Sequence, residues 1–439
     1  MKWYLPDAAW VDGELRRDVG VLVAGETIVS VGAVDERLGD VERLHRRLLL
    51  PGIVNAHSHA FQRALRGHVQ HASGEDSFWS WRERMYALAT ALDPEAIEAV
   101  STLAFAEMVR AGFTTVGEFH YLHHQPDGTP YADPDELARR VAHAAQKVGL
   151  RIVLLRVAYA RAGFRVDANL RQRRFIDRDP TAVLAAVSRL RGHGIVAGLA
   201  PHSVRAVPRE WLQAFADFDG VVHAHVDEQP GEIEQCLAEH GRRPVHVFAE
   251  AGLVHERFTA VHLTHPDDTE IAAMRGHVCA CPTTELDLGD GFLPAWKLGV
   301  PVCLGSDSHA AIDPFAEMRA IEWHSRALLG RRNVLPHEGP DGLASGLLRM
   351  GTENGARSLG VNAGRLAPGA LADFVTVDVS RLEFAASRLL PAVVFNGSPA
   401  AISDAWVGGR HVLKDGRVPG AERFAHEAEA ALRRLGLAA

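Results

Sequence analysis

The strongest constraint on the fold is a rhythm. From about residue 51 onward the chain repeats a short apolar run, a polar connection and an amphipathic helical stretch. Eight runs have strand character: GIVNAH, TTVGEF, RIVLLRV, IVAGLAP, VVHAHV, TAVHLT, VCACP and PVCLGSD. Stretches such as AIEAVSTLAFAEMVRAG, PDELARRVAHAAQKVG and PTAVLAAVSRLRGHG separate most of them, with glycine where a helix ends. Eight such units over about 300 residues predict an α/β fold of the (β/α)8 barrel type, whose chemistry sits at the C-terminal ends of the strands. A doubly wound open sheet would place a Gly-rich phosphate loop after its first strand, and none follows GIVNAH.

Residues 1–50 have a different texture. Apolar and polar residues alternate between turns such as Asp12-Gly13 and Gly25-Glu26. A similar pattern returns in GRLAPGALADFVTVDV and AWVGGRHVLKDGRVP, punctuated by Gly408-Gly409 and Asp415-Gly416. The two ends are therefore expected to complete one small β-sandwich. Residues 1–50 form its N-terminal part, 51–361 the barrel, and 362–439 its C-terminal part with a terminal helix.

With 47% hydrophobic and 23% charged residues in 439, the chain can bury a large core, which excludes a disordered protein. A formal net charge of -8 provides no general attraction to nucleic acid or to an anionic membrane, so neither is expected as a partner. An acidic ligand must be held by locally placed arginines. Cys236, Cys279, Cys281 and Cys303 fit neither a disulfide framework nor a C-x-x-C motif, and are expected as core residues in a reducing compartment. Pro6, Asp7 and Asp12 interrupt the opening before a signal-length apolar run can form, and a cytoplasmic protein is expected.

The stretch PGIVNAHSHAFQRA carries the first chemical signal. Alternate side chains of a strand face the same way, so His57 and His59 project together while Ser58 turns aside. Further polar residues stand at other strand ends: His225 and, three residues on, Glu228 after the fifth, His262 on the sixth, and Asp307 after the eighth. Imidazoles with a carboxylate suit Zn²⁺, and a hydrolytic site keeps a position for water. His223, one pleat deeper than His225, is expected to be buried in the barrel, and His265 and His309 lie on loops beyond their strands.

At these residues the chain resembles the amidohydrolase superfamily, from the H-x-H strand through LAPGALADFVTVD. The resemblance implies His57, His59, His225 and Asp307 as metal ligands. Many members bridge two metals with a lysine at the end of strand four, but IVAGLAPHS offers none. One divalent metal, Zn²⁺ or Fe²⁺, is therefore expected, as in the deaminase branch, which shares the H-x-x-E spacing of His225 and Glu228. Between His262 and His265 as the sixth-strand histidine, His262 is taken because it lies on the strand.

More locally, NAHSHAFQRALRG, DSFWSWRERMY, EFHYLHHQPDGTPYADPDEL, PHSVRAV and CPTTELDLGDG resemble the deiminases of histidine breakdown within that branch. The resemblance implies metal-dependent hydrolysis of a formimino group on a glutamate derivative, a small dianionic amino-acid derivative, with hydroxide generated at the metal attacking the formimino carbon. It further implies Glu228, His262 and Asp307 as catalytic groups and Gln62, Arg82, Tyr121, His202 and Arg205 as substrate-contacting positions. Guanidinium forks suit carboxylates, which singles out Arg82 and Arg205, with Arg84 as a substitute for Arg82. The long segment RGHVQHASGEDSFWSWRERMY is expected either to fold over the substrate or to form a contact in a homodimer. Two other readings compete: an aminohydrolase acting on a guanine- or adenosine-like ring, against which the paired arginines speak, and a non-catalytic scaffold, against which the intact ligand set speaks.

Overall fold

The computed structural model of the chain describes residues 1–70, 78–337, 339 and 341–437. Part of the aromatic connection after the first barrel strand, residues 71–77, lies outside the described residues, and with it the expectation of a lid or dimer contact there. Each of the eight predicted segments forms a strand: Ile53–Ser58, Phe113–His120, Arg151–Ala158, Ala197–Pro201, Val222–Val226, Phe258–His262, His277–Ala280 and Val302–Leu304. They pair in parallel in that order. Every residue of the first two strands is buried, as helices covering the outside of a parallel sheet require.

The ring closes at the mouth. Ser58 and Asp307 form a parallel bridge, the Asp307 N–H donates to the His57 carbonyl at 3.0 Å, and the His59 N–H donates to the Asp307 carbonyl at 3.0 Å. Deeper in the same seam the Asn55 amide donates to Ser306 Oγ at 2.7 Å and accepts from the Ser306 N–H at 3.0 Å. Gly305 lets the strands approach, since a Cβ there would stand 2.8 Å from both Cβ and the carbonyl oxygen of His57.

Local chemistry fixes the surrounding helices. Asp93, Asp179 and Asp313 each precede a proline and cap the helices Pro94–Arg110, Pro180–Gly192 and Pro314–Leu329, accepting backbone N–H groups of Ala96, Ala182 and Ala316 at 2.9, 2.8 and 3.0 Å. Glu136–Val148 ends on Gly149 in the left-handed region, φ 80°.

The two chain ends meet in one mixed sheet. Its strand order is Arg410–Leu413, Ile402–Val407, Phe374–Asp378, Asp40–Pro51, Lys2–Val11, Gly20–Ala24 and Thr27–Gly32, with Glu14–Arg16 paired to Lys2–Val11. Its own core centres on Tyr4, Phe374 and Trp406, whose rings lie 4.9–5.1 Å apart. This sheet leads directly into the barrel through Gly52, and Arg151 grips the buried Asp373 with bonds of 2.9 and 3.0 Å. All four cysteines are buried and unpaired, as expected. Among the described residues no helix is long and apolar enough to cross a membrane.

Candidate metal centre and substrate pocket

Four side chains from three parts of the barrel converge at the closing seam. His57 Nε2 and His59 Nε2 lie 3.4 and 3.2 Å from Asp307 Oδ1, and His57 Nε2 lies 3.2 Å from His225 Nε2. Ligand atoms from all four residues fall within 4.8 Å of one another. The carbonyls of Phe119 and His202 can only accept hydrogen bonds, so His59 Nδ1 at 3.0 Å and His225 Nδ1 at 3.1 Å carry the hydrogens. Their Nε2 lone pairs are thereby aimed at the centre. Burial pushes His57 down to about 3, and burial with neighbouring imidazoles holds His225 well below the usual range, so both rings are neutral. Bare nitrogens and a carboxylate crowded together without solvent repel one another, and a divalent cation relieves that repulsion. Three imidazoles and one carboxylate fit Zn²⁺ or Fe²⁺ better than a cation that prefers oxygen alone.

The backbone is bent to aim these groups. His262 has φ 73°, Asp307 φ 45° and His309 φ 63°, all in the left-handed region that costs a non-glycine residue about 1–3 kcal/mol.

Sequence reasoning missed the supports of the H-x-H turn. Glu118, opposite Ser58 on the second strand, accepts from Ser58 Oγ at 2.6 Å and from the Ala60 N–H at 2.7 Å. Burial pushes its carboxyl up to about 7. A charged residue inside the apolar run TTVGEF was the available signal. His309 is fully buried and bridges Ser58 Oγ at 3.2 Å and Ser306 Oγ at 3.0 Å. His223 is buried in the barrel, as expected, against the Ser358 carbonyl at 2.9 Å. His265 lies against the Asp290 carbonyl, at 2.5 Å from Nε2, away from the four-residue cluster.

Beside the cluster stands an ionic group. His262 stacks on His225 with ring centres 5.5 Å apart, and its Nε2 is 3.8 Å from Glu228 Oε1. Its Nδ1 faces Glu285 Oε1 at 3.4 Å. Burial opposes a charge on His262, but Glu285, Glu228 and Asp307 together raise it to about 10 and keep it an imidazolium. Glu285 is itself held by the Cys281 N–H at 2.8 Å. Asp290, bonded to the Gln229 amide, is pushed up to about 9 by burial and by Glu228.

An open cavity of about 610 Å³, counted out to its mouth, adjoins the cluster. His59, His225, Asp307 and Glu228 line it, and so do all five expected substrate positions, Gln62, Arg82, Tyr121, His202 and Arg205. Gln62 donates to the Tyr121 hydroxyl at 2.8 Å, which donates onward to Met85 Sδ at 3.4 Å. Arg82 lies over the Tyr86 ring, 5.7 Å from its centre. Arg84 instead bonds the His68 carbonyl at 3.1 Å and does not line the cavity. Arg205 differs from a plain ligand anchor: its Nη2 donates to Glu228 at 3.1 Å and its Nε lies 3.5 Å from the fully buried Glu232. Burial disfavours that guanidinium's charge, but Glu232 and Glu228 raise its pKa above the ordinary value.

Comparison with known proteins agrees with this geometry. Formimidoylglutamate deiminase of Pseudomonas aeruginosa is 38% identical over 429 residues, covering 93% of this chain and 94% of that protein. A 5'-deoxyadenosine deaminase of Methanothrix thermoacetophila is 28% identical, covering 97% of each chain. Among solved structures, an amidohydrolase from Brucella melitensis superposes with a TM-score of 0.91 at 35% identity, over 99% of this chain and 100% of that one. An adenosine deaminase from Xanthomonas campestris with bound zinc shares the fold, with a TM-score of 0.83 at 24% identity over 99% and 98%. Residues 48–412, which include the whole barrel and every residue of the site, match the Amidohydrolase family, and the chain belongs to that family.

Proposed function

We infer that this enzyme hydrolyses N-formimidoyl-L-glutamate to N-formyl-L-glutamate and ammonia, a step of L-histidine degradation, using one divalent metal. The observation that carries the reading is the shared cavity: His59, His225 and Asp307 of the metal cluster, Glu228, and the two arginines with Gln62, Tyr121 and His202 all line one space, with His57 buried directly behind them. The 38% identity to a formimidoylglutamate deiminase supports it.

His57, His59, His225 and Asp307 would hold the metal, Zn²⁺ or Fe²⁺, which when bound supplies the Lewis acidity that makes water a nucleophile near neutral pH. The other steps belong to the chain. Asp307 takes the first proton from the attacking water. As water adds to the formimino carbon, the C=N bond becomes single and its nitrogen must gain protons before it can leave as ammonia. Glu228 carries them, steadied by Arg205 at 3.1 Å. His262, fixed against Glu285 at 3.4 Å, is placed to donate to negative charge developing on oxygen. Collapse then forms the formyl C=O and breaks the C–N bond. Arg82 and Arg205 both line the cavity, where guanidinium groups suit a substrate with two carboxylates better than a neutral ring.

Ammonia release measured on N-formimidoyl-L-glutamate, 5'-deoxyadenosine and guanine tests the reading. The formimidoyl substrate should lead in kcat/KM by a factor on the order of 10³ or more, since buried polar groups matched to one ligand reject others strongly. Equal or faster turnover of a nucleobase or nucleoside overturns it.

A further inference from the structure

The cavity wall carries two tyrosines that the reaction described above does not use. Tyr86 lies on the helix Phe78–Ala91, and Tyr159 directly follows the third barrel strand. Both line the cavity and both are almost fully buried. Their hydroxyls lie 3.2 Å apart, and the Gln172 amide nitrogen lies 3.1 Å from each.

The amide orientation is fixed, because Gln172 Oε1 accepts from the Asn169 N–H at 3.2 Å. Both hydrogens on Gln172 Nε2 therefore point to the phenols, and each phenol oxygen accepts one of them. Two hydroxyl hydrogens remain. The Tyr86–Tyr159 contact uses one, and among the described residues nothing accepts the other. Because both tyrosines line the cavity, that hydrogen is placed to meet an acceptor on a bound ligand. Burial holds the Tyr159 phenol well above its ordinary pKa, which keeps it a donor across the working range.

We propose that Tyr86 and Tyr159, set by Gln172, form a neutral carboxylate-reading element whose spare hydroxyl hydrogen binds one carboxylate of the substrate and so selects for a two-carboxylate ligand. This specificity role rests on the proposed function and deepens it. A hydroxyl bonding an anion is worth about 1.5–3 kcal/mol, which corresponds to roughly a 10- to 100-fold effect on kcat/KM.

The test measures kcat/KM for ammonia release from three N-formimidoyl compounds. One derives from L-glutamate, one from 4-aminobutyrate, which lacks the α-carboxylate, and one from L-2-aminobutyrate, which lacks the γ-carboxylate. The zinc-loaded wild type is compared with the Tyr86→Phe/Tyr159→Phe double variant and with both single variants, which carry the test if the double variant fails to fold. The variants should lose at least tenfold on the glutamate compound, keep most of that loss on one analogue, and lose less than twofold on the other, which identifies the carboxylate that is read. An equal loss on all three compounds means a packing role and overturns the inference, as does no loss. If the wild type itself turns over 5'-deoxyadenosine but none of the three, the proposed function fails, and this inference falls with it.

Discussion

Replacing Gly305 by alanine tests whether the barrel seam sets the metal site. The added Cβ would meet His57 Cβ at 2.8 Å, its carbonyl oxygen at 2.8 Å and its nitrogen at 3.0 Å. Carbon atoms settle about 3.5–4.0 Å apart, so the strands must separate by roughly 0.7 Å. Most of the obstruction is main chain, and no rotamer change relieves it. His57 sits on one side of the seam and Asp307 two residues from the substitution on the other, joined by the 3.0 Å bond between the Asp307 N–H and the His57 carbonyl. A metal site tolerates distance errors of about 0.2 Å, several-fold less than this opening. Gly305→Ala should therefore weaken metal binding by at least the 10- to 100-fold typical of lost outer support. It should also cost about 1–3 kcal/mol of stability through overpacking. Zinc titration against a competing chelator, with melting curves taken with and without zinc, reads both effects. Gly192→Ala is the matched control: it closes the helix Pro180–Gly192 with no atom within 4 Å of the new Cβ, and should stabilise by about 0.5–1 kcal/mol with zinc affinity intact. A Gly305→Ala protein with wild-type zinc affinity and melting temperature would refute the reasoning.

Other perturbations separate the groups of the site. His57→Ala should abolish stoichiometric metal in elemental analysis, whereas Glu228→Gln should keep the metal and lose turnover by about 10²- to 10⁴-fold, the usual worth of a proton carrier; normal turnover in Glu228→Gln would remove it from that role. Glu317 gives a pH effect on stability away from the metal. Burial pushes its carboxyl up from 4.5 to about 8, with Thr283 donating to it from N–H at 3.0 Å and from Oγ1 at 2.5 Å. The folded state keeps a proton that the unfolded chain releases, so this contribution is complete below pH about 4.5 and is lost as pH rises through about 8. Glu317→Gln holds the neutral form throughout, so its melting temperature should gain on the wild type between pH 6 and 9, and a pH-independent difference would contradict the assignment.

Residues whose roles depend on their own strand were legible in the sequence. The two-residue period of a strand put His57 and His59 on one side, and the H-x-x-E spacing put Glu228 just beyond His225. The eight apolar runs located every barrel strand because each is short and bounded by turn chemistry. What stayed hidden depends on a neighbour brought in by closure. Glu118 matters because Ser58 and Ala60 lie opposite it, and Glu285 because His262 lies 3.4 Å away, and neither pairing follows from spacing along the chain. The same holds for Arg205. Its residue type suggested a carboxylate ligand from outside, whereas the fold supplies Glu228 and Glu232 from within. The left-handed φ of His262 and Asp307 had no sequence signal at all, since neither residue is glycine.

The charge balance of the site explains why it mixes guanidinium groups with neutral donors. Asp307, Glu228, Glu232, Glu285 and Asp290 lie buried around the mouth, and burial pushes Asp290 up to about 9, so it holds a proton near neutrality instead of adding charge. The proposed dianionic substrate gains no long-range attraction from a chain of net charge -8 and must be held by groups in contact with it. Each further arginine placed among these carboxylates would pair with one of them, as Arg205 does. A hydroxyl or amide escapes that competition because it gains little from a carboxylate across the cavity and much from one in contact. Gln62 and, on the inference above, Tyr86 with Tyr159 on Gln172 would supply such donors on the wall that carries Arg82. Selectivity for carboxylates in a carboxylate-rich mouth thus depends on contact geometry more than on long-range attraction, and raising the salt concentration should weaken substrate binding only modestly.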